Sequence, residues 1–166
     1  MDTLRIRTEA PGDAPAIHEV ERLAFGREAE AELVDAVREA GAGVLSLVGV
    51  WAGEVIGHVL FTPVSVGGGR GVALGPLAVH PDHQRQGVGT ALVREGLRRL
   101  QTLGHGAVVV LGEPGYYRRF GFRPARAFGV SWDRPVPDEV FMALELRPQA
   151  LAGGGIVRYH GLFDRL

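Results

Sequence analysis

Two short strings in this 166-residue chain combine residue types and spacings suited to chemistry. The first is Gln84-Arg85-Gln86-Gly87-Val88-Gly89-Thr90, which follows the apolar run Val72 to Val79 and opens a long amphipathic stretch. A glycine-rich helix start lets backbone N–H groups close on an anion, and the helix dipole favours negative charge there. A side chain at Gly87 or Gly89 would hold a phosphate away from those groups. Arg85 adds positive charge, so the string predicts a diphosphate site. The second string is Tyr116-Tyr117-Arg118-Arg119-Phe120-Gly121-Phe122. A buried or half-buried phenol can give a proton to a leaving group that gathers negative charge; an unperturbed tyrosine titrates at about 10.

Gln84-x-x-Gly87-x-Gly89 resembles the pyrophosphate loop of the GNAT superfamily of N-acetyltransferases, which hold acetyl-coenzyme A. Tyr117, four residues before Gly121-Phe122, keeps the spacing of a tyrosine in the same superfamily. The resemblance runs from about Leu4 to Leu146 and is distinctive over residues 75–122. It implies an α+β fold (α/β in some schemes). A mixed, mostly antiparallel central sheet has helices on both faces, and its fourth and fifth strands, here Val72–Val79 and Ala107–Leu111, splay apart. It further implies an acyltransferase that moves an acetyl group from acetyl-CoA to a primary amine of a small molecule or peptide. The amine attacks directly in a ternary complex, with no metal.

By that resemblance, Gln84, Arg85, Gln86, Gly87, Val88, Gly89 and Thr90 hold the diphosphate, and Leu77 and Val79 meet the pantetheine arm. The Val79 N–H polarises the thioester carbonyl, and Tyr117 protonates the leaving thiolate. A non-catalytic acyl-CoA sensor, or an enzyme using another acyl-CoA, stays open; Tyr117 favours an enzyme, since a sensor need not keep a proton donor. The chain departs from the common pattern at Val109, which stands where many members have Asn. The Gly112-Glu113-Pro114 turn before Tyr116-Tyr117 resembles a branch of the superfamily with a Gly-acidic-Pro turn before a Tyr pair. Ala73 stands where some members carry a Glu base. The base is therefore open among His58, Glu113, Glu21 and a water chain, with His58 more simply read as a hydrogen-bonded core residue.

Composition narrows the classes. With 46% hydrophobic residues the chain is no disordered segment. A net charge of −1 predicts no general attraction to nucleic acid or anionic membrane. No apolar run reaches the ~20 residues of a membrane span, and the N-terminal residues do not read as a signal peptide, so a cytoplasmic protein is expected. There is no cysteine, which excludes disulfides, thiolate metal sites and a cysteine acyl-enzyme. All 18 cationic side chains are Arg. His80 and His83 flank Pro81-Asp82, a spacing too weak for a metal site. Arg94, Arg98 and Arg99 read as a solvated helix face with some reach toward an adenosine phosphate. A homodimer stays open.

The elements that must position these residues follow from periodicity, and one domain, 1–166, accounts for them. A short strand, Leu4–Arg7, leads to a helix capped by Asp13 with the stripe Ile17, Val20 and Ala24. A second helix runs from about Glu28 to Glu39. Strands Leu45–Val50 and Val55–Phe61 flank a hairpin turn at 51–54. Residues 67–71 read as a flexible loop before strand Val72–Val79. A helix from Gly87 to Leu103 buries Leu92, Val93, Leu97, Leu100 and Leu103. Strand Ala107–Leu111, a short helix Tyr116–Phe120, and strands Ala127–Trp132 and Val140–Leu146 follow. Residues 156–159 read as an edge strand. The acceptor region would draw on Glu21, Phe25, Glu28, Glu30, Trp132, Asp133 and Tyr159.

Overall fold

A computed structural model describes residues 2–166, apart from the side chain of Arg165. Strand β1 (Arg5–Thr8) leads into helices α1 (Ala14–Phe25) and α2 (Ala29–Ala40). Strands β2 (Leu45–Trp51), β3 (Glu54–Val66) and β4 (Gly69–Val79) then form an antiparallel meander. Helix α3 (Val88–Thr102) crosses to β5 (Ala107–Leu111), which lies parallel to β4. Helix α4 (Pro114–Tyr117), β6 (Arg123–Pro124), β7 (Val130–Trp132), β8 (Phe141–Glu145) and β9 (Gly155–Tyr159) complete the chain. The strand order is β1-β2-β3-β4-β5-β8-β6, and β9 joins β3 to β7.

Helices cover both sheet faces, because each face is a stripe of apolar side chains that must leave water. On one side α3 buries Leu92, Val93, Leu97 and Leu100 against Phe61, Val108, Val110 and Phe122. On the other, Ile17, Leu33, Val34 and Val37 pack on Val48 and Leu60. Each such side chain contributes roughly 1.5–3 kcal/mol of burial.

Several expectations need correction. Asp13 does not cap α1 through its side chain. Its carboxylate takes Arg7 at 2.7 Å and the Ala10 N–H at 2.7 Å instead. Of residues 67–71 only Gly67-Gly68 is a turn: β3 runs on to Val66 and pairs with a β4 that begins at Gly69, and β9 pairs with the other edge of β3 at Val64–Val66. Leu103 is 62% exposed, since α3 ends at Thr102 and Leu103 lies past its last turn. Only Val130–Trp132 of the 127–132 segment is strand; Ala125–Phe128 is a 3₁₀ turn. The last strand is not an edge, for β9 runs antiparallel to β3 and parallel to β7.

Strands β4 and β5 pair only at Val72–Val108, Ala73–Val109 and Leu74–Val110, then part. This opening positions the site. The His80 N–H bonds the Ile56 carbonyl on β3 at 2.8 Å. Antiparallel partners alternate between bonded and non-bonded pairs. Leu77 and Val79, paired with Val59 and Gly57, therefore turn their N–H and C=O groups away from β3, into the opening.

Candidate active site

The loop before α3 is built to leave donors free. Arg85 has φ 62° and Gly87 φ 87°, both left-handed, so the backbone twice reverses direction just ahead of the helix. Such turns gather successive N–H groups into an anion-binding concavity. Gly87 caps α3 with no side-chain hydrogen bond, and the first turn carries no acidic residue. The first hydrogen bond of the helix comes from the Ala91 N–H to the Gly87 carbonyl. The N–H groups of Val88, Gly89 and Thr90 thus lie ahead of the helical ladder, at the positive end of the dipole. Gln84 plays a different part: its Nε2 donates to the Val79 carbonyl at 3.0 Å and ties the loop to the open edge of β4. Gln84, Arg85, Gln86 and Gly87 are exposed.

Two cavities meet here. One of about 520 Å³ is lined by Leu77, Val79, Gln84, Arg85, Gly87, Val88, Gly89, Thr90 and Arg119. The other, about 600 Å³, occupies the opening between β4 and β5 and runs out past Glu30, Glu113, Trp132, Arg134 and Tyr159. Phe25, Leu77 and Tyr116 line both. Gln86 lines neither and faces a smaller cavity with Trp51 and His83.

The two tyrosines divide their positions. Tyr117 is buried at 8% exposure and lines the larger cavity; its ring packs edge-on against Phe122 and Tyr116. Its hydroxyl makes no hydrogen bond among the described residues. Burial, with Tyr116 adding to it, pushes that hydroxyl above the ordinary tyrosine range. Gly112 is required beneath it, since a Cβ there would stand 2.4 Å from Tyr117 Cε2. Tyr116 instead reaches back to α3, its Oη 3.3 Å from Thr90 Oγ1 and 3.1 Å from where a Gly89 Cβ would sit. Arg119 lies over its ring at 4.5 Å. The position of Tyr116 between the cavities carried no signal in the spacing.

The family model described as Acetyltransferase (GNAT) family matches residues 14–122. The chain belongs to this family. It is 42% identical over 164 residues to the uncharacterized N-acetyltransferase YhbS of Escherichia coli strain K12, covering 96% of this chain and 98% of YhbS. A crystal structure of the Escherichia coli GNAT protein YhbS in complex with CoA superposes with a TM-score of 0.94 at 41% identity, covering 98% of this chain and 93% of that one. A GNAT acetyltransferase from Brucella melitensis in complex with acetyl-CoA gives a TM-score of 0.83 at 39% identity, covering 98% and 99%. The GNAT fold and acyltransferase class expected from the two strings therefore hold.

The remaining candidates of this GNAT chain sort by position. His58 and Glu21 are both 0% exposed and bonded to each other, Nδ1 to Oε2 at 2.7 Å; neither lines the two cavities. They are therefore not direct bases for a bound amine. Glu113 is exposed on the larger cavity. Phe25, Glu30, Trp132 and Tyr159 line that cavity, whereas Glu28 pairs with His18 at 3.0 Å and Asp133 with Arg158 at 3.7 Å. Arg98 and Arg99 are bound to Glu95, whose carboxyl they pull down to about 2, and Arg94 lies over Phe120. Val109, at the place of the missing Asn, is core. Among the described residues no group of three or more His, Asp or Glu is arranged to hold a metal ion. No helix there is long and apolar enough to cross a membrane.

Proposed function

We propose that this chain, as one acetyltransferase domain over residues 1–166, transfers the acetyl group of acetyl-CoA to the primary amine of a small molecule or peptide. The observation that carries this is the uncapped, acid-free start of α3, opening on a cavity continuous with the parted strands. A diphosphate fits the N–H groups from Gln84 to Thr90, with Arg85 supplying charge. The pantetheine amides fit the free edge at Leu77 and Val79, as an added strand would. Two structures at about 40% identity hold CoA or acetyl-CoA, which supports the same co-substrate here.

In this mechanism the Val79 N–H donates to the thioester carbonyl oxygen as negative charge builds there, the place where a fixed donor acts most strongly. The amine nitrogen bonds to the carbonyl carbon and releases a proton, the C–S bond breaks, and the sulfur, met by the Tyr117 hydroxyl as donor, takes up a proton. The ammonium form of the amine must first shed a proton. With no cysteine the acyl group passes directly, without a thioester on the protein. Tyr116 is a second candidate for the proton donor, because it lines both cavities.

Calorimetry with coenzyme A in the presence of a chelator tests the anchor. Binding that weakens as salt is raised and ignores the chelator is expected. Absence of binding, or binding only after a metal is added, would overturn the proposal.

A further inference from the structure

The larger cavity carries a chemical description of its occupant. One side is flat and apolar. Trp132 stacks on Phe141 with centroids 6.0 Å apart and planes 14° apart, and leans on Tyr159 at 5.6 Å, so the indole is fixed as a wall. Phe25, 41% exposed, stands at the junction with the diphosphate side.

The charges there are nearly all spoken for. Glu30 is 5% exposed and gripped by the Arg27 guanidinium, with Nε at 2.8 Å. Arg134 pairs with Asp164 and lies 5.3 Å over the Trp132 ring. Glu113 is the exception: among the described residues its carboxylate has no ion pair and no hydrogen bond. Its backbone carbonyl accepts the Tyr117 N–H at 3.1 Å, so this carboxylate stands on the turn that carries the candidate acid.

One unpaired carboxylate on the turn that carries the Tyr pair, in a cavity also lined by Phe25, Trp132 and Tyr159, matches one ammonium on an apolar body. A cation is drawn both to the carboxylate and to ring faces. A polyamine brings further charges that nothing here balances. An aminoglycoside brings many hydroxyls to a mostly apolar wall, where unpaired polar groups are costly. An amino acid carries a carboxylate that Glu113 repels, and Arg134, which lines the cavity, is already paired with Asp164. The volume, about 600 Å³, lies within the range of small-molecule sites. We infer that the acceptor is a primary monoamine on an aromatic body, an arylalkylamine, with its ring against Trp132 and Phe25 and its ammonium at Glu113. This rests on the acetyltransferase reading above.

The test compares phenethylamine and tryptamine with spermidine, kanamycin, alanine and a lysine-bearing peptide, each with acetyl-CoA. A thiol-reactive dye reads released coenzyme A; the chain adds no background because it has no cysteine. The arylalkylamines should show kcat/KM at least tenfold above every competitor. Glu113→Gln, an exposed and fold-neutral change, should raise their KM at least tenfold and leave coenzyme A affinity unchanged. Preference for any competitor, an unchanged KM in Glu113→Gln, or coenzyme A binding without acetylation of either arylalkylamine would overturn the inference alone. Failure of the wild-type protein to bind coenzyme A would overturn the acetyltransferase reading and the inference with it.

Discussion

Replacing Tyr117 by Phe separates chemistry from packing. The ring and its contacts with Phe122 and Tyr116 stay, and the hydroxyl has no hydrogen bond within the described chain to lose. Stability should change by less than about 1 kcal/mol. The effect on rate follows from acidity. Burial first, then Tyr116, pushes the hydroxyl above its ordinary value of about 10, while a thiol titrates at about 8.5. Complete transfer to the thiolate is uphill by more than about 1.5 units, or ~2 kcal/mol. The hydroxyl therefore works chiefly by donating a hydrogen bond as charge gathers on sulfur. A hydrogen bond to a charged group contributes about 1.5–3 kcal/mol, which is roughly 10- to 150-fold in rate. Tyr117→Phe should lower kcat by that factor and leave coenzyme A affinity within about threefold. The assay is thiol release with a saturating arylalkylamine, with calorimetry alongside. Because the hydroxyl stays protonated through the neutral range, the shape of the pH–rate profile should not change. Tyr116→Phe is the control: losing its contact with Thr90 should act on coenzyme A affinity. Equal turnover in Tyr117→Phe and wild type, with chemistry rate-limiting, would refute the argument. A 10- to 150-fold loss in Tyr116→Phe instead would move the proton donor there.

Gly89→Asp should abolish coenzyme A binding while thermal unfolding stays close to wild type. The new Cβ meets the Tyr116 hydroxyl at 3.1 Å, and the carboxylate opposes the diphosphate; an unchanged titration would show that the loop is not the anchor. His58→Leu should cost about 2–4 kcal/mol in denaturant unfolding, because it strips Glu21 of its one partner, whereas the double change with Glu21→Leu should recover most of that loss. A double variant no more stable than the single one would contradict this account. Glu21 also sets a slope with pH. Burial, only partly offset by His58, raises its folded pKa above the unfolded value, so its contribution is full below about pH 4.5 and is lost as pH rises through the folded value. Glu21→Gln should remove that decline from the stability curve.

The residues differed in how much they told before folding. Helix α3 was legible because Leu92, Val93, Leu97 and Leu100 repeat at helical spacing and Gly87 and Gly89 mark its start. The parting of β4 and β5 followed only from resemblance, because where a ladder stops leaves no local pattern. Residues 67–71 looked like a loop because glycine carries no alternation, yet Gly69–Gly71 pair with β3 and only Gly67-Gly68 turn. Strands β7 and β9 were misjudged because a parallel pair of short strands some 25 residues apart leaves no local pattern. Gly112 read as a mere turn residue until the Tyr117 ring was seen to lie on it.

Glu21 looked like a surface carboxylate of the acceptor region, and its true setting depends on a count of protons that only the folded chain defines. Arg38 holds the Glu9 carboxylate with Nε at 2.6 Å, and Ser46 Oγ lies 2.7 Å from the same carboxylate. Burial alone would raise the Glu9 pKa, but the Arg38 and Ser46 hydrogen bonds bring it below the ordinary value, so Glu9 is ionised. Ser46 must then donate to it. The Ser46 oxygen, 2.8 Å from His58 Nε2, accepts in turn, so Nε2 bears hydrogen. One proton is left for the 2.7 Å contact between His58 Nδ1 and Glu21 Oε2. Burial of Glu21, with Oε1 unpaired, favours keeping it on the carboxyl. The chain of contacts starts at a surface cavity lined by Glu9, Arg38 and Ser46 and crosses from β2 and β3 to α1. It fixes α1 through a directional bond where apolar packing alone would let the helix slide. Phe25 lies one turn beyond Glu21 on that helix and faces both cavities. The buried pair thus ties α1, the helix that carries Phe25, to β3.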